Sequence, residues 1–276
     1  MKKAAIILFG FVVLCSATFG AFAQTSNVVK KDLSQADIDR IVKKFTENEA
    51  AFRNALTGYV FNRNATFQTI GMGGQVSGSY RRDSFLSLSV EGVRLEKILF
   101  APISTLTEIT VTAADVDNLN GVDPFAIDPA VAAQYNFTFL GTEKIDELNL
   151  YVFDVSPKIA PDPKKVKRHF FSGRIWIDQQ DLTIVKSKGK AVPEQKTEKF
   201  PILETWRENV DGKYWFPSFI TGDDELVFDS GQVVKLRVRV KYTNYAVGKS
   251  TVIIGDDETE VKDDSKPKAN PTPKKP

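Results

Sequence analysis

The sequence has few of the side chains that most often carry enzyme chemistry. Among 276 residues it contains one histidine, His169, and one cysteine, Cys15. Histidine-based metal clusters and Ser-His-Asp triads therefore lack their usual parts. A single histidine at the start of a strand is more typical of a structural residue than of a general base. The net charge of +2 also argues against nucleic-acid binding, which needs a concentrated basic field.

The first residues have the pattern of a secretory signal peptide. Lys2 and Lys3 form a basic start, residues 4–14 are apolar, and residues 21–23 form the small-x-small cleavage site Ala-Phe-Ala. Cleavage there would make Gln24 the mature N-terminus. The sequence therefore predicts export to the periplasm, with association with the outer membrane as a further option.

Two other interpretations of this segment are compatible with its composition. A retained membrane anchor is one, but the apolar run is short for a helix that spans a bilayer. Lipidation of Cys15 is the other, but Val13 and Leu14 stand where a bacterial lipobox has small residues. If the peptide is removed after Ala23, the mature chain contains no cysteine and forms no disulfide.

Residues 34–58 predict an amphipathic helix. Ser34 is a suitable N-cap, Asp37 lies in the first turn, and Gly58 is a suitable stop. We expect the helix to cover a sheet face, because its polar side is mixed in sign rather than basic as in membrane-surface helices. Its apolar side chains recur at steps of three and four residues: Ile38, Ile41, Val42, Phe45, Phe52 and Leu56.

Most of the remaining chain has the two-residue alternation of β-strands, with glycine-containing turns between the segments. The pattern predicts a mainly β protein with added helices (α+β), built as an antiparallel meander. The predicted strands, apart from one hairpin described next, span residues 59–70, 76–90, 93–100, 137–142, 148–155, 202–209, 213–220, 226–228 and 233–245.

Residues 169–188 form the clearest hairpin, in which two strands are joined by a short acidic turn. None of its residues is an obvious catalyst, so we interpret it as structural. The side chains of its first strand alternate between two faces: Phe171, Ile175 and Ile177 lie on one, and Arg174, Trp176 and Asp178 lie on the other.

Residues 103–136 interrupt the series of strands. The segment contains two short helical candidates, at 113–119 and 129–135. A long insertion in a β domain is often a lid or a binding loop, but a passive crossover has the same sequence pattern. Both interpretations are compatible with the residues.

The last long strand has one basic face. A solvated sheet surface is the favoured interpretation, and contact with anionic lipid headgroups is the alternative. The basic residues are Lys235, Arg237, Arg239 and Lys241, which alternate with Val234, Leu236, Val238 and Val240.

One pair of carboxylates is a candidate catalytic pair. Glu204 and Glu208 flank Trp206 on one strand face, a geometry that some glycosidases share. Surface salt bridges explain the pair as well, and the sequence contains no other convincing active site. We therefore predict that the protein is not an enzyme and needs no cofactor and no metal.

Residues 248–276 predict an unstructured tail. They are rich in Asp, Glu, Lys and Pro, and few apolar residues are present to offset the entropy lost on ordering. The predicted organisation is a signal peptide at 1–23, one domain at 24–247 and this tail at 248–276.

Two hairpin motifs resemble those of the LolA/LolB-like superfamily of periplasmic lipoprotein carriers. Phe171-Ser-Gly-Arg-Ile-Trp-Ile-Asp178 with Leu182-Thr-Ile-Val185 is similar to the family pattern G-x-[IVL]-W-[IV]-D … t-x-[IVL]-[VP]. Asp211-Gly-Lys-Tyr-Trp-Phe-Pro217 is similar to the D-G-x-x-x-P hairpin of the same relatives. The motifs cover residues 169–247, and the general architecture matches over 34–247.

The resemblance implies an unclosed antiparallel β-barrel that wraps the N-terminal helix and carries short helical lid segments. It also implies an apolar cavity between sheet and lid that takes the acyl chains of a lipoprotein. The carriers' lid-locking arginine has no assignable counterpart, and Arg81 or Arg82 would be guesses. The implied cavity lining is Phe85, Leu88, Phe139, Phe153, Phe171, Ile175, Ile177, Trp206 and Phe219, with Leu119 and Phe125 from the lid.

The hypothesis from the sequence is an exported carrier or binder of lipidated or hydrophobic cargo in outer-membrane lipoprotein sorting, without a transmembrane span in the mature form. The first alternative is a cell-envelope sensor or assembly module of RseB-like type, which binds an envelope protein. The second is a secreted hydrolase. An aliphatic cavity would favour the carrier, an exposed apolar edge would favour the interaction module, and a cleft at Glu204 and Glu208 would favour the enzyme.

Overall fold

The computed structural model describes residues 27–88, 94–118, 127, 129–163, 169–248, 251–254 and 259–262. The helices are α1 (Gln35–Leu56), α2 (Ala113–Asn118) and α3 (Pro129–Ala132). The strands are β1 (Tyr59–Ile70), β2 (Val76–Leu88), β3 (Arg94–Phe100), β4 (Tyr135–Ile145), β5 (Leu148–Pro157), β6 (Phe170–Asp178), β7 (Ile184–Val192), β8 (Leu203–Val210), β9 (Tyr214–Val227), β10 (Val233–Val247), β11 (Thr251–Ile254) and β12 (Thr259–Lys262).

Ten strands form one antiparallel sheet in the order β3-β2-β1-β10-β9-β8-β7-β6-β5-β4. Neighbours in the sheet are also neighbours in sequence except for β1 and β10, which bring the two ends of the domain together. In the described part of the chain β3 and β4 are the edges and do not pair with each other, so the sheet is not closed. This confirms the predicted unclosed antiparallel β architecture with an N-terminal helix.

Helix α1 packs on one face of this sheet, which we call the inner face. The side chain of Ser34 accepts a hydrogen bond of 3.2 Å from the amide of Asp37 and so caps the helix as predicted. The four buried apolar side chains of the helix divide between two core clusters. Ile41 and Phe45 pack against β4–β7, while Phe52 and Leu56 pack against β1, β2 and β8–β10.

The hairpin of β6 and β7 confirms the hairpin predicted at residues 169–188. The carboxylate of Asp178 accepts hydrogen bonds from the amides of Gln180 and Asp181, which closes the turn. Asn48 of α1 donates to the carbonyls of Asp181 and Leu182 at 2.9 and 2.8 Å. The turn therefore also holds the middle of the helix.

The insertion between β3 and β4 contains α2 and α3, close to the two predicted helical segments. The second is shorter than predicted because β4 begins at Tyr135. The predicted lid residues Leu119 and Phe125 lie outside the described residues, as does the predicted signal peptide. Strands β11 and β12 pair with each other within the segment predicted as a tail.

Within the described ranges, none of the helices is both long enough and apolar enough to cross a bilayer.

Candidate functional site

A cavity of about 1360 Å³ lies against the inner face, beside α1. Its floor consists of apolar side chains from four strands of the sheet. Phe67 of β1, Leu203 of β8, Leu226 of β9 and Leu236 of β10 line it, and each is at least nine-tenths buried. Typical small-molecule sites occupy roughly 300–1,000 Å³, so this cavity is large enough for a bulky apolar ligand.

Two irregular segments also border the cavity. Residues 107–111 lead from β3 to α2, and residues 196–201 connect β7 to β8. Arg53 reaches the cavity from the last turn of α1. The cavity is therefore bounded by sheet, helix and two connections rather than by a single element.

The charged side chains around the opening are mixed in sign, and several are paired. Lys199 Nζ lies 2.9 Å from Asp229 Oδ1. His169 Nε2 lies 3.7 Å from Glu198 Oε2, and its ring packs against Phe200 with the ring centroids 4.6 Å apart. The single histidine thus lies at the rim of the cavity, in contact with the 196–201 segment, rather than in a catalytic arrangement.

The 107–111 segment is anchored to the sheet on both sides. The amide of Thr105 donates to the carbonyl of Ser79, and the amide of Ser79 donates to Oγ1 of Thr105, both at 2.9 Å. Gln232 of the β9–β10 turn donates to the carbonyl of Glu108 at 3.1 Å. Gly78 permits this close approach, because a Cβ there would collide with backbone atoms of Thr105 and Leu106.

A buried arginine holds α2 against the same sheet face. Arg63 of β1 is fully buried and donates to the carbonyl of Val116 and to Asp117, both at 3.2 Å. It also bonds Glu96 of β3 at 2.8 Å. The group spans β1, β3 and α2, so it positions the start of the insertion.

Glu96 is the acidic centre of this group. Arg82 donates to both of its carboxylate oxygens, at 3.0 and 2.7 Å, and Ser84 donates at 2.5 Å. Hydrogen bonding from Arg82 lowers the pKa of Glu96 to about 2, with Ser84 and Arg63 adding to the effect and burial opposing it. The carboxylate is therefore charged at every physiological pH.

Five of the residues predicted to line a cavity belong to a core cluster rather than to the lining of this cavity. Phe153, Phe171, Ile175 and Ile177 are packed together in the core beside Ile41 and Phe45, and Phe139 contacts Phe153 at their edge. Their contact with cargo stays a prediction.

Three further predicted lining residues, Phe85, Trp206 and Phe219, lie away from the floor of the cavity. Phe85 alternates with the buried Ser84 and Leu86. Trp206 pairs with Phe219, and both alternate with core residues, so they point to the outer face of the sheet. Leu88 ends β2. The side chains of Phe85, Trp206 and Phe219 are not among those that line the cavity.

Glu204, one of the two candidate catalytic carboxylates, is also on the outer face. Glu204 accepts a hydrogen bond from Trp206 Nε1 and lies 3.3 and 3.8 Å from Lys186 and Lys188. Glu208 is exposed. The two carboxylates do not converge on the cavity, and this geometry agrees with the salt-bridge interpretation.

The basic face of β10 is largely paired with acidic residues of β9. Lys235 lies 3.1 Å from Glu225, and Arg237 and Arg239 both bond Asp223. These arginines hold the pKa of Asp223 below its usual range, although burial alone would raise it. The row is therefore an ion-paired sheet surface. No group of three potential metal ligands is present among the described residues.

The sequence patterns did not single out Arg63 or the floor residues of the cavity. Phe67 and Leu236 look like ordinary core residues, because they alternate with polar neighbours as the rest of their strands do. Arg63 interrupts an apolar alternation in β1, between Phe61 and Ala65. A charged residue at a core position is a signal for a buried ion pair.

Several solved structures are similar to this chain, including the following three. A DUF1329 family protein from Desulfovibrio piger ATCC 29098 is 14% identical over 75% of this chain and 92% of its own, with a TM-score of 0.36. The LolA superfamily protein NE2245 from Nitrosomonas europaea is 15% identical over 76% and 93%, with a TM-score of 0.33. MucB is 13% identical over 75% and 94%, with a TM-score of 0.27.

One of these neighbours belongs to the LolA superfamily, the family that the hairpin motifs resemble. Neither a protein-family model nor a curated protein matches the sequence. The TM-scores are too low for these neighbours to inform the cavity of this chain.

Proposed function

We propose that this protein is an exported carrier or binder of lipidated or otherwise hydrophobic cargo, which holds acyl chains in the cavity between the sheet and residues 107–111 and 196–201. The observation that carries the proposal is the volume of about 1360 Å³ over an apolar floor. We further propose that it acts in the periplasm, in the sorting of outer-membrane lipoproteins.

The energetics of acyl-chain burial suit such a site. Each methylene moved from water into apolar surroundings contributes about 0.8 kcal/mol, so several buried methylenes hold a lipid without any catalytic group. The floor residues Phe67, Leu203, Leu226 and Leu236 supply apolar surface, and the paired charges at the rim tolerate a polar headgroup at the mouth. A reversible lipid binder requires both an apolar interior and an opening that accepts a polar headgroup.

A second candidate is the envelope sensor or interaction module. The edge strand β3 favours it, because Ile98, Leu99 and Phe100 are each about half exposed there. An edge strand with exposed apolar side chains is a surface on which another protein can add a strand.

Native mass spectrometry of the protein purified from its own envelope tests the first proposal. We expect a bound lipid or lipoprotein in the wild type. Ala191 lines the cavity from β7, so Ala191→Trp should fill part of it and reduce the bound fraction. Ala51 is exposed on α1, so Ala51→Trp is the matched control and should leave it unchanged.

Recovery of the protein without a bound lipid or lipoprotein, even after mild crosslinking, would contradict the carrier proposal. A protein partner recovered without lipid would instead support the interaction module.

A further inference from the structure

The two irregular segments that border the large cavity are attached to the rest of the protein in different ways. Every residue of 107–111 and every residue of 196–201 lines the cavity, so each segment forms a continuous part of its wall. The contacts that hold each segment indicate which part of the wall can move.

The 107–111 segment is fixed to the sheet. The carbonyl of Glu108 accepts a hydrogen bond from the β9–β10 turn, and the side chains of Ile109 and Val111 pack against the core cluster of β1, β2 and β8–β10. The helix that follows, α2, is held by the buried Arg63. Displacing this segment would break hydrogen bonds and expose apolar surface to water at the same time, and both changes are unfavourable.

The 196–201 segment is held across the opening by one ion pair. Lys199 Nζ lies 2.9 Å from Oδ1 of Asp229 in the β9–β10 turn, and the Asp229 side chain is 50% exposed. Glu198 Oε2 is 3.7 Å from His169 Nε2, which is too long for a hydrogen bond. Ion pairs that reach water contribute little to stability, because water and salt compete with them.

The backbone of 196–201 makes only local hydrogen bonds within the part of the chain that the structure describes. The amide of Phe200 donates to the carboxylate of Glu194 at 3.2 Å, and Gln195 and Glu198 bond each other across a turn. The ring of Phe200 lines the cavity but belongs to none of the core clusters. The segment can therefore move without breaking the sheet or opening the core.

Both ends of this segment are attached to strands. Lys190 of β7 lies 2.9 Å from Glu194, and the amide of Ile202 donates to the carboxylate of Asp224 in β9 at 2.7 Å. An outward movement of 196–201 thus pivots between these two attachments and leaves β7 and β8 in place.

We propose that residues 196–201 are the gate of the cavity. The gate swings outward to admit and release cargo, the Lys199–Asp229 pair keeps it closed, and residues 107–111 stay in place as the fixed wall. The inference rests on the proposed function, because it assumes that the cavity takes hydrophobic cargo. It adds the entry route, and it differs from the family resemblance, which implies a lid formed by the helical insertion.

Stopped-flow fluorescence with N-phenyl-1-naphthylamine tests the gate. This probe is uncharged and its emission rises in apolar surroundings, so a change of charge at the rim does not alter its long-range attraction to the protein. Lys199→Gln and Asp229→Asn each break the ion pair, from the gate and from the turn. In both we expect the association and dissociation rate constants to rise about threefold, while Kd changes by less than about twofold.

The double variant Lys199→Gln/Asp229→Asn should be no faster than either single variant, because all three lose the same interaction. Lys235→Gln breaks an exposed ion pair of the same type on the outer face and should keep the rates of the wild type. Glu108→Gln removes a charge from the fixed wall and should also keep them. Circular dichroism confirms that each variant is folded.

Closing the gate covalently should have the opposite effect. Residues 24–276 contain no cysteine, so Lys199→Cys/Asp229→Cys supplies a single pair for a short bis-maleimide crosslinker, and mass spectrometry identifies the linked protein. We expect association and dissociation in the linked protein to be slower by about tenfold or more than in the same variant without the link.

The outcomes separate the gate from the proposed function. The gate is overturned if the variants of the ion pair bind the probe at the rates of the wild type, or if Glu108→Gln accelerates binding as much as they do. A rise in Kd without faster association would also overturn it, because Lys199 and Asp229 would then belong to the binding surface. If the wild type does not bind the probe, the proposed function itself fails, and the gate fails with it.

Discussion

Two buried arginines fasten helices to the inner face of the sheet in different ways. Arg207 of β8 makes a bidentate ion pair with Glu49 of α1, at 2.6 and 3.0 Å, and the two side chains are 4% and 2% exposed. Its guanidinium also lies 4.7 Å from the ring centroid of Phe52. The pair is enclosed in the core and joins the long helix to the centre of the sheet.

Arg63 is equally buried, but its acidic partners reach water. Glu96 is 16% exposed and Asp117 38% exposed, and Arg82 and Ser84 share Glu96 with it. Arg63 holds α2, a helix of six residues, whereas Arg207 holds one of 22. Burial of the arginine alone therefore does not determine its structural role. The solvent exposure of the acidic partner determines whether the ion pair is part of the core or lies at its edge.

Breaking the enclosed pair should have the largest effect. Arg207→Met leaves the carboxylate of Glu49 buried without its partner, which costs about 3–5 kcal/mol in the free energy of unfolding. Urea denaturation measures this change in the free energy of unfolding. The double variant Glu49→Leu/Arg207→Met removes both charges and should recover most of the loss.

The surface pair of Arg174 and Asp154, at 2.9 Å with both side chains partly exposed, is the matched control for that variant. Arg174→Met should cost less than about 1 kcal/mol. A similar cost for Arg207→Met would contradict the core role of Arg207.

Arg63→Met should have a smaller and more local effect. Glu96 keeps Arg82 and Ser84, so we expect a loss of about 1–3 kcal/mol. The carbonyl of Val116 loses its donor, so hydrogen exchange should accelerate at the amides of α2 more than at those of α1. In Arg207→Met, hydrogen exchange should accelerate at the amides of α1 more than at those of α2. Equal acceleration of both helices in both variants would remove the distinction between the two arginines.

The acid dependence of stability tests the same ion-pair group through Glu96. Its folded-state pKa of about 2 is lower than the ordinary value of 4.5. A lowered folded-state pKa stabilises the protein fully above about pH 4.5, and this contribution is lost as the pH falls toward 2. Between pH 4.5 and pH 2, the free energy of unfolding should therefore decrease less steeply in Glu96→Gln than in the wild type. Urea denaturation at a series of pH values measures this slope. Glu208→Gln, at an exposed position, should leave the slope as in the wild type.

Local patterns predicted the elements well for a physical reason. The stripe of α1, the alternation of β6 and β10 and the turn of β6–β7 each depend on residues within a few positions of one another. The pairing of consecutive strands follows from the same turns. The open antiparallel sheet around a helix was therefore predictable.

The aromatic residues of the outer face show what local sequence patterns could not predict. Trp206 and Phe219 are aromatic residues in strands, as cavity residues often are, and they face each other across β8 and β9. Arg207 takes the inner position and the aromatic pair the outer one. Alternation distinguishes the two sides of a strand, but it does not show which side faces the cavity.

The sequence by itself determined the helix, the strands, their turns and the apolar face of each. Only the tertiary structure decided which inner-face side chains α1 covers and which face the cavity. Phe153 and Phe216 pack in the core, whereas Phe67 and Leu236 also line the cavity, although all four alternate in the same way. The path of α1 across the sheet makes the difference, and contacts such as Glu49 to Arg207, 158 residues apart, hold that path.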